Sequence, residues 1–298
     1  MKVVFALLAS TILCVSLARA SSYVVNSDGT GDFPNIQAAI NVAASGDTVT
    51  LADGVFTGSG NRDVTFLGKA VLLRSLSGNP AACVLDAQAS VTDQHRIFSF
   101  VNAEGPNTIL DGLTVRGGWE GTGYPSPAPG EEAPSSCTSL RTPRTRDPGS
   151  AVGGGIYCGA AAGPTIRNCM ITGNNADFGG GLAASSNAYP TILDCVFTNN
   201  SARGDGGGIG YEFRPDSSSM TVTRCFFRTN VSGGHGGGAA IQGRNLLTDC
   251  TFTGNESEFG AGFFTCSGTT GTEFLRCTFV GNIGFSPYYP GAGGGGGT

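Results

Sequence analysis

In the C-terminal half of the chain an apolar side chain stands two positions after a Cys five times: Cys169/Ile171, Cys195/Phe197, Cys225/Phe227, Cys250/Phe252 and Cys277/Phe279. Successive side chains of a strand point to opposite faces, so each pair shares one face and predicts a short strand with that face turned inward. The N-terminal part has another rhythm. Ile36, Ala39, Ile40 and Ala43 fall at i, i+3, i+4 and i+7, after Pro34-Asn35 and before Ser45-Gly46, which predicts one amphipathic helix over 36–44. Strand-like runs follow at 48–51, 71–73, 97–101 and 109–115, separated by Asp-Gly or Gly turns.

The five cysteines are spaced 26, 30, 25 and 27 residues apart, and each is followed five residues later by Asn: Asn174, Asn200, Asn230, Asn255 and Asn282. Gly-x-Gly clusters beginning at Gly153, Gly179, Gly206, Gly236 and Gly260 keep the same step. Such a period is too short for a propeller blade of roughly 40 residues and fits one turn of a parallel β-helix with about three short strands. Coils stacked about 4.8 Å apart would bring equivalent residues together. The Cys and Phe positions then form inward stacks, and the Asn residues form a ladder at bends where Asn tolerates the left-handed region. The Gly clusters allow positive φ or close backbone approach. With Gly112 set at the Cys position and Gly117 at the Asn position, the residue before each Cys reads Asp111, Asn168, Asp194, Arg224, Asp249, Arg276. The last four alternate in sign, a pattern that stabilises stacked strands by roughly 0.2–1 kcal/mol per pair.

On that alignment the next Gly cluster is due near residue 122 but begins at Gly153, so some 31 residues are inserted. The domain reading is therefore a signal peptide at 1–20, an N-terminal strand and capping helix at 21–46, irregular coils at 47–118, an inserted Pro-rich loop at 119–150, and regular repeats at 151–298. The Gly-rich end reproduces the opening of another coil, so the repeats are expected to continue past Thr298 and the end coil to self-associate if they do not.

The stretch SDGTGDFPNIQAAINVAASGDTVTLADGVFTG, residues 27–58, resembles the entry segment of pectin-lyase-like right-handed parallel β-helices. The repeats are similar to those of the polymorphic outer membrane protein family, with Phe-x-x-Asn at Phe197/Asn200, Phe227/Asn230, Phe252/Asn255 and Phe279/Asn282. The resemblance implies an all-β fold: a single-stranded right-handed parallel β-helix of about eight or nine coils, capped by the N-terminal helix.

Composition agrees with this picture. Gly makes up 49 of 298 residues, and charged side chains only 13%, about half the usual share of about 25%. The start carries Lys2, an apolar run and Ala18-Arg19-Ala20, the layout of a cleaved signal peptide, so secretion or cell-surface display is expected. From Ser21 onward 15 basic face 22 acidic side chains, a net charge of −7. That balance argues against a nucleic-acid partner, and no membrane span is expected in the chain. The mature chain has nine cysteines, an odd count. The parallel Cβ vectors of stacked Cys disfavour disulfides between coils, so the column is expected to pack as small hydrophobes.

Candidate chemistry is sparse. Arg141 to Arg146 match the Arg-x-Pro-x-x-Arg of pectate lyases, and Gly234-His235-Gly236 a fragment of the polygalacturonase pattern, each without its companion motifs. Asp177, Asp205, His235 and Glu258 precede four consecutive Gly clusters and are read as one turn column. Such a column suits general acid/base work or a cation, and otherwise consists of solvated turn residues. In the solvated case, replacing Asp205 or His235 would change stability by no more than about 0.5 kcal/mol. Trp119 and Tyr124, in the insertion, are the candidate binding residues, since an aromatic face offers a stacking surface. Three Asn-x-Ser acceptor motifs, at Asn199, Asn230 and Asn255, are read as ladder residues. The expected function is non-catalytic binding of a polysaccharide or a cell-surface ligand without cofactor. The alternative is a polysaccharide lyase or glycoside hydrolase acting on an acidic polysaccharide, which as a lyase would bring Ca²⁺.

Overall fold

The computed structural model describes residues 19–121, 152–185, 187–211, 219–265 and 271–285. Residues 1–18 of the expected signal peptide, Tyr124 with the Arg-x-Pro-x-x-Arg match, and the Gly-rich end lie outside these residues. The chain winds through four parallel sheets in turn, and each strand pairs with its equivalent one coil further on. Among the described residues sheet I holds nine strands, from Ser22–Val25 to Glu273–Leu275, and sheet II eight, from Gly54–Phe56 to Thr278–Val280. Sheet III holds six two-residue strands, Trp119–Glu120 to Ile283–Gly284, and sheet IV seven, Val64–Thr65 to Phe263–Phe264.

Three left-handed bends per coil explain the repeat. The residue before each Cys has positive φ (Asn168, Asp194, Arg224, Asp249, Arg276) and turns the chain from sheet I to sheet II. A second bend falls on the residue before each ladder Asn: Gly173, Asn199, Thr229, Gly254 and Gly281. The ladder Asn residues do not themselves adopt positive φ, contrary to expectation, because the preceding residue takes the strain and leaves them free to bond. The third bend is the first Gly of each cluster, such as Gly206 at φ 73°. Its successor needs space instead, since a Cβ on Gly207 would lie 2.5 Å from the Val231 carbonyl oxygen.

The inward columns are those expected. Phe197, Phe227, Phe252 and Phe279 stack with ring centroids 5.0, 4.5 and 4.7 Å apart. Full burial of each such ring stabilises by about 1.5–3 kcal/mol. Cys169, Cys195, Cys225 and Cys250 are buried free thiols beside them, with Cys277 half-buried. Burial pushes the Cys195 thiol upward, and that of Cys83, one of the irregular coils' residues, up to about 12. The Asn ladder closes the inner corner of sheets II and III. Asn200 Nδ2 donates to Ile171 O (2.9 Å) and Asn230 Oδ1 (3.0 Å), while its Oδ1 accepts from Asn174 N and Nδ2.

Helix α1, Ile36–Val42, buries Ile36, Ala39 and Ile40, and Asn35 caps it by accepting from Ala38 N. The run at 109–115 is two strands, Ile109–Asp111 and Thr114–Arg116, because left-handed Gly112 bends the chain between them. The coil before the insertion is also shifted by one. Leu113, not Gly112, takes the Cys position, and Gly118, not Gly117, the Asn position, since Thr114 pairs with Met170. A Cβ at Gly118 would sit 1.8 Å from Gly154 O, so no Asn fits there and the ladder starts at Asn174. Asp111 accordingly faces Arg167 rather than Asn168 in register. The sign alternation in the last four coils holds, as Arg224 pairs with Asp194 and Arg276 with Asp249, each at 2.6 Å.

Candidate functional site

The corner between sheets III and IV gathers most of the candidate chemistry. Here the chain leaves at Gly121 and returns at Val152, which bridges to Phe178. Trp119 therefore lies not in the inserted loop but in a strand of sheet III, opposite Asn175. It is half-buried, and its backbone exchanges hydrogen bonds with His95 at 2.9 and 3.1 Å.

The turn column of Asp177, Asp205, His235 and Glu258 is not one column. His235 bridges to Phe259, and the amides of Gly179, Gly206 and Gly236 donate to the carbonyls of Asp205, His235 and Phe259 in turn. Phe178, Asp205, His235 and Phe259 are thus the equivalent residues. Asp177 and Glu258 stand one position earlier, level with Gly204 and Gly234, because their coils carry a Phe before the Gly cluster. All four are buried, with exposures of 4–9%, so none is a solvated turn residue.

Asp205 and His235 are direct partners. Asp205 Oδ1 accepts from the His235 backbone N–H at 2.9 Å and lies 2.8 Å from His235 Nδ1. The imidazole packs against Phe259 and Phe264, with centroids 5.4 and 4.1 Å away. This is an internal clamp between coils, since the side chains are only 6% and 12% exposed.

The second of the protein's two histidines repeats the arrangement near the other end of the same corner. His95 Nδ1 lies 2.5 Å from Asp63 Oδ2, one coil earlier, and Nε2 lies 2.9 Å from Asp93 Oδ1. Arg62 Nη1 reaches Asp93 Oδ2 at 3.3 Å. Beneath them Arg96 and Glu120 form a buried pair at 3.1 Å, with the Arg96 guanidinium over the Tyr157 ring. Sequence reasoning missed this cluster because these coils lack the repeat that aligned the others. Its one legible signal was that an Asp precedes each His by about a coil. Among the described residues no three or more His, Cys, Asp or Glu are arranged to hold a metal ion.

Among the described residues, the corner from sheet IV to sheet I is the more open. A hollow of about 500 Å³ is lined by Ser219, Thr221, Arg244, Asn245 and Glu273. Arg244 and Glu273 are exposed and form no ion pair among the described residues. One coil above Ser219, Tyr189 lies against Gly163, whose Cβ, if present, would be 2.0 Å from the ring, and remains 41% exposed. Asn245 holds the hollow's floor by accepting from Met220 N (3.0 Å) and donating to Thr272 Oγ1 (3.2 Å).

Residues 149–279 match the sequence family described as right handed beta helix region. With the parallel coils, this defines the chain as a right-handed parallel β-helix. Two solved structures resemble it. A pectate lyase, Pel9A, shares 14% identity over 91% of this chain and 82% of its own, with a TM-score of 0.49. Pectin methylesterase from carrot shares 11% identity over 87% of this chain, with a TM-score of 0.41, and the chain spans 63% of that enzyme's length. No curated protein matches the sequence.

Proposed function

We propose that this protein is a non-catalytic, secreted or cell-surface β-helix that binds a polysaccharide chain along the hollow at the corner between sheets IV and I. One observation carries the reading: the hollow offers an exposed guanidinium and carboxylate, Arg244 and Glu273, with no ion-pair partner among the described residues, two and three coil steps from the exposed Tyr189 ring. Sugars are held by aromatic faces combined with a few placed polar groups, and a rigid solenoid repeats such a surface without ordering cost. The acid/base candidates on the other corner support binding over turnover, because Asp205 and His235 are directed at each other inside the coil stack. Phe-x-x-Asn repeats like those of the polymorphic outer membrane protein family, and the signal-peptide layout, favour display outside the cell.

Titration of neutral and acidic polysaccharides by calorimetry tests this reading. Tyr189→Ala and Arg244→Ala are each expected to weaken binding at least tenfold while leaving thermal unfolding unchanged. Equal affinity of both variants and wild type would remove the site. Release of reducing ends or unsaturated products would turn the reading to the lyase or hydrolase.

A further inference from the structure

The three Asn-x-Ser motifs differ in a way their spelling hides. Asn230 and Asn255 are ladder residues, wholly buried, and both hydrogens of each side-chain amide are in use. Asn230 Nδ2 donates to Phe197 O at 3.0 Å and to Asn255 Oδ1 at 3.0 Å, and Asn255 Nδ2 donates to Phe227 O and Asn282 Oδ1. Asn199, in contrast, is not a ladder residue. It precedes the ladder residue Asn200, occupies the outer bend at φ 55° and is exposed. Its Oδ1 accepts from Thr229 Oγ1 at 2.7 Å, whereas its Nδ2 makes no hydrogen bond among the described residues. The equivalent residue one coil above is Gly173, where even an added Cβ would meet no atom within 4 Å.

We infer that Asn199 is an N-glycosylation site and that Asn230 and Asn255 are sequons the native fold cannot carry modified. In the transfer, Asn199 Nδ2 forms a bond to the anomeric carbon of an oligosaccharide held on a polyprenyl diphosphate. The bond from that carbon to the diphosphate oxygen breaks, the lipid diphosphate leaves with the electron pair, and Nδ2 gives up one proton. In the folded product Asn199 Oδ1 is still free to accept from Thr229 Oγ1. At Asn230 or Asn255 the same step removes a hydrogen already donated within the ladder and places a sugar inside the coil stack. Oligosaccharide transfer there and folding therefore exclude each other.

The full chain, with its own leader, is produced in a secretory host that performs this transfer, and site occupancy is mapped by peptide mass spectrometry after enzymatic deglycosylation in heavy-oxygen water. Secreted, folded protein is expected to carry glycan at Asn199 alone, and Asn199→Asp, which preserves the acceptor for Thr229, is expected to secrete as an unglycosylated form. Chain retained in the host is expected to be modified at Asn230 or Asn255. Folded protein bearing glycan at Asn230 or Asn255, folded protein with Asn199 bare, or retained chain unmodified at the ladder positions would each overturn the inference.

Discussion

Asn200 joins three coils through one side chain, and its amide cannot be replaced by water because it is 1% exposed. Replacing it with Ala orphans Asn174 N and one of the two Asn174 Nδ2 hydrogens, which donate to its Oδ1 at 3.1 and 3.0 Å. Each buried group left unsatisfied costs about 1–3 kcal/mol, so Asn200→Ala is expected to lose about 4 kcal/mol by urea unfolding. The same substitution at Asn282, where no further Asn follows among the described residues, is expected to lose less than half of that. Asp205 behaves alike for a different reason. It was legible as a turn residue and so as solvated, but its carboxylate is buried against His235. Asp205→Ala is expected to destabilise by about 3 kcal/mol, far beyond a surface substitution. Asp205→Asn, which keeps an acceptor for the His235 amide, is expected to recover part of the loss.

The alternating Asp and Arg residues between sheets I and II act along the stack of coils rather than within one strand. Hydrogen bonds from the guanidinium groups of Arg224 and Arg276 hold the carboxyls of Asp194 and Asp249 below the usual carboxylate range. A carboxyl with a depressed pKa in the folded state adds stability above its unfolded pKa of about 3.9, and that contribution is lost as pH falls through the folded value. Arg224→Gln is thus expected to lower the urea midpoint at neutral pH, and the difference from wild type is expected to vanish below about pH 3. All of these groups are largely exposed, so the effect is small and shrinks in salt. The cap obeys the opposite logic. Helix α1 contributes through Ile36, Ala39 and Ile40 under the first coils, and its stability comes from packing, since seven residues are too few for a helix alone.

Each coil touches chiefly its two neighbours, which makes the stability of the molecule a sum of coil terms and interface terms. Protection against hydrogen exchange is expected to be highest in the middle coils, at Thr191–Leu193, and lowest at Glu273–Leu275, the last described strand of sheet I, where the inward Phe274 is 40% exposed. Uniform protection along sheet I would contradict this. The same architecture separates the surfaces by corner. The corner of sheets III and IV is closed by charge clamps, the described residues of the corner of sheets IV and I line a hollow, and Asn199 is exposed at the bend between sheets II and III.

The coil period, inward columns, Asn ladder, cap and sign alternation were all readable from the chain, because a solenoid turns sequence distance directly into spatial neighbourhood. The recurrence of Cys169 through Cys277 every 25–30 residues is a statement about stacking before any coordinate is known. What escaped were one-residue differences. Gly118 replaces Asn at the head of the ladder because the Gly154 carbonyl is too close, and Phe178 and Phe259 displace Asp177 and Glu258 from the level of Asp205 and His235. Side chains alternate with period two, so a slip of one residue reverses the direction in which a group points. Whether a carboxylate is buried in a clamp or open to solvent, and whether an Asn is a ladder rung or an exposed bend, was settled only when neighbouring coils were laid against each other.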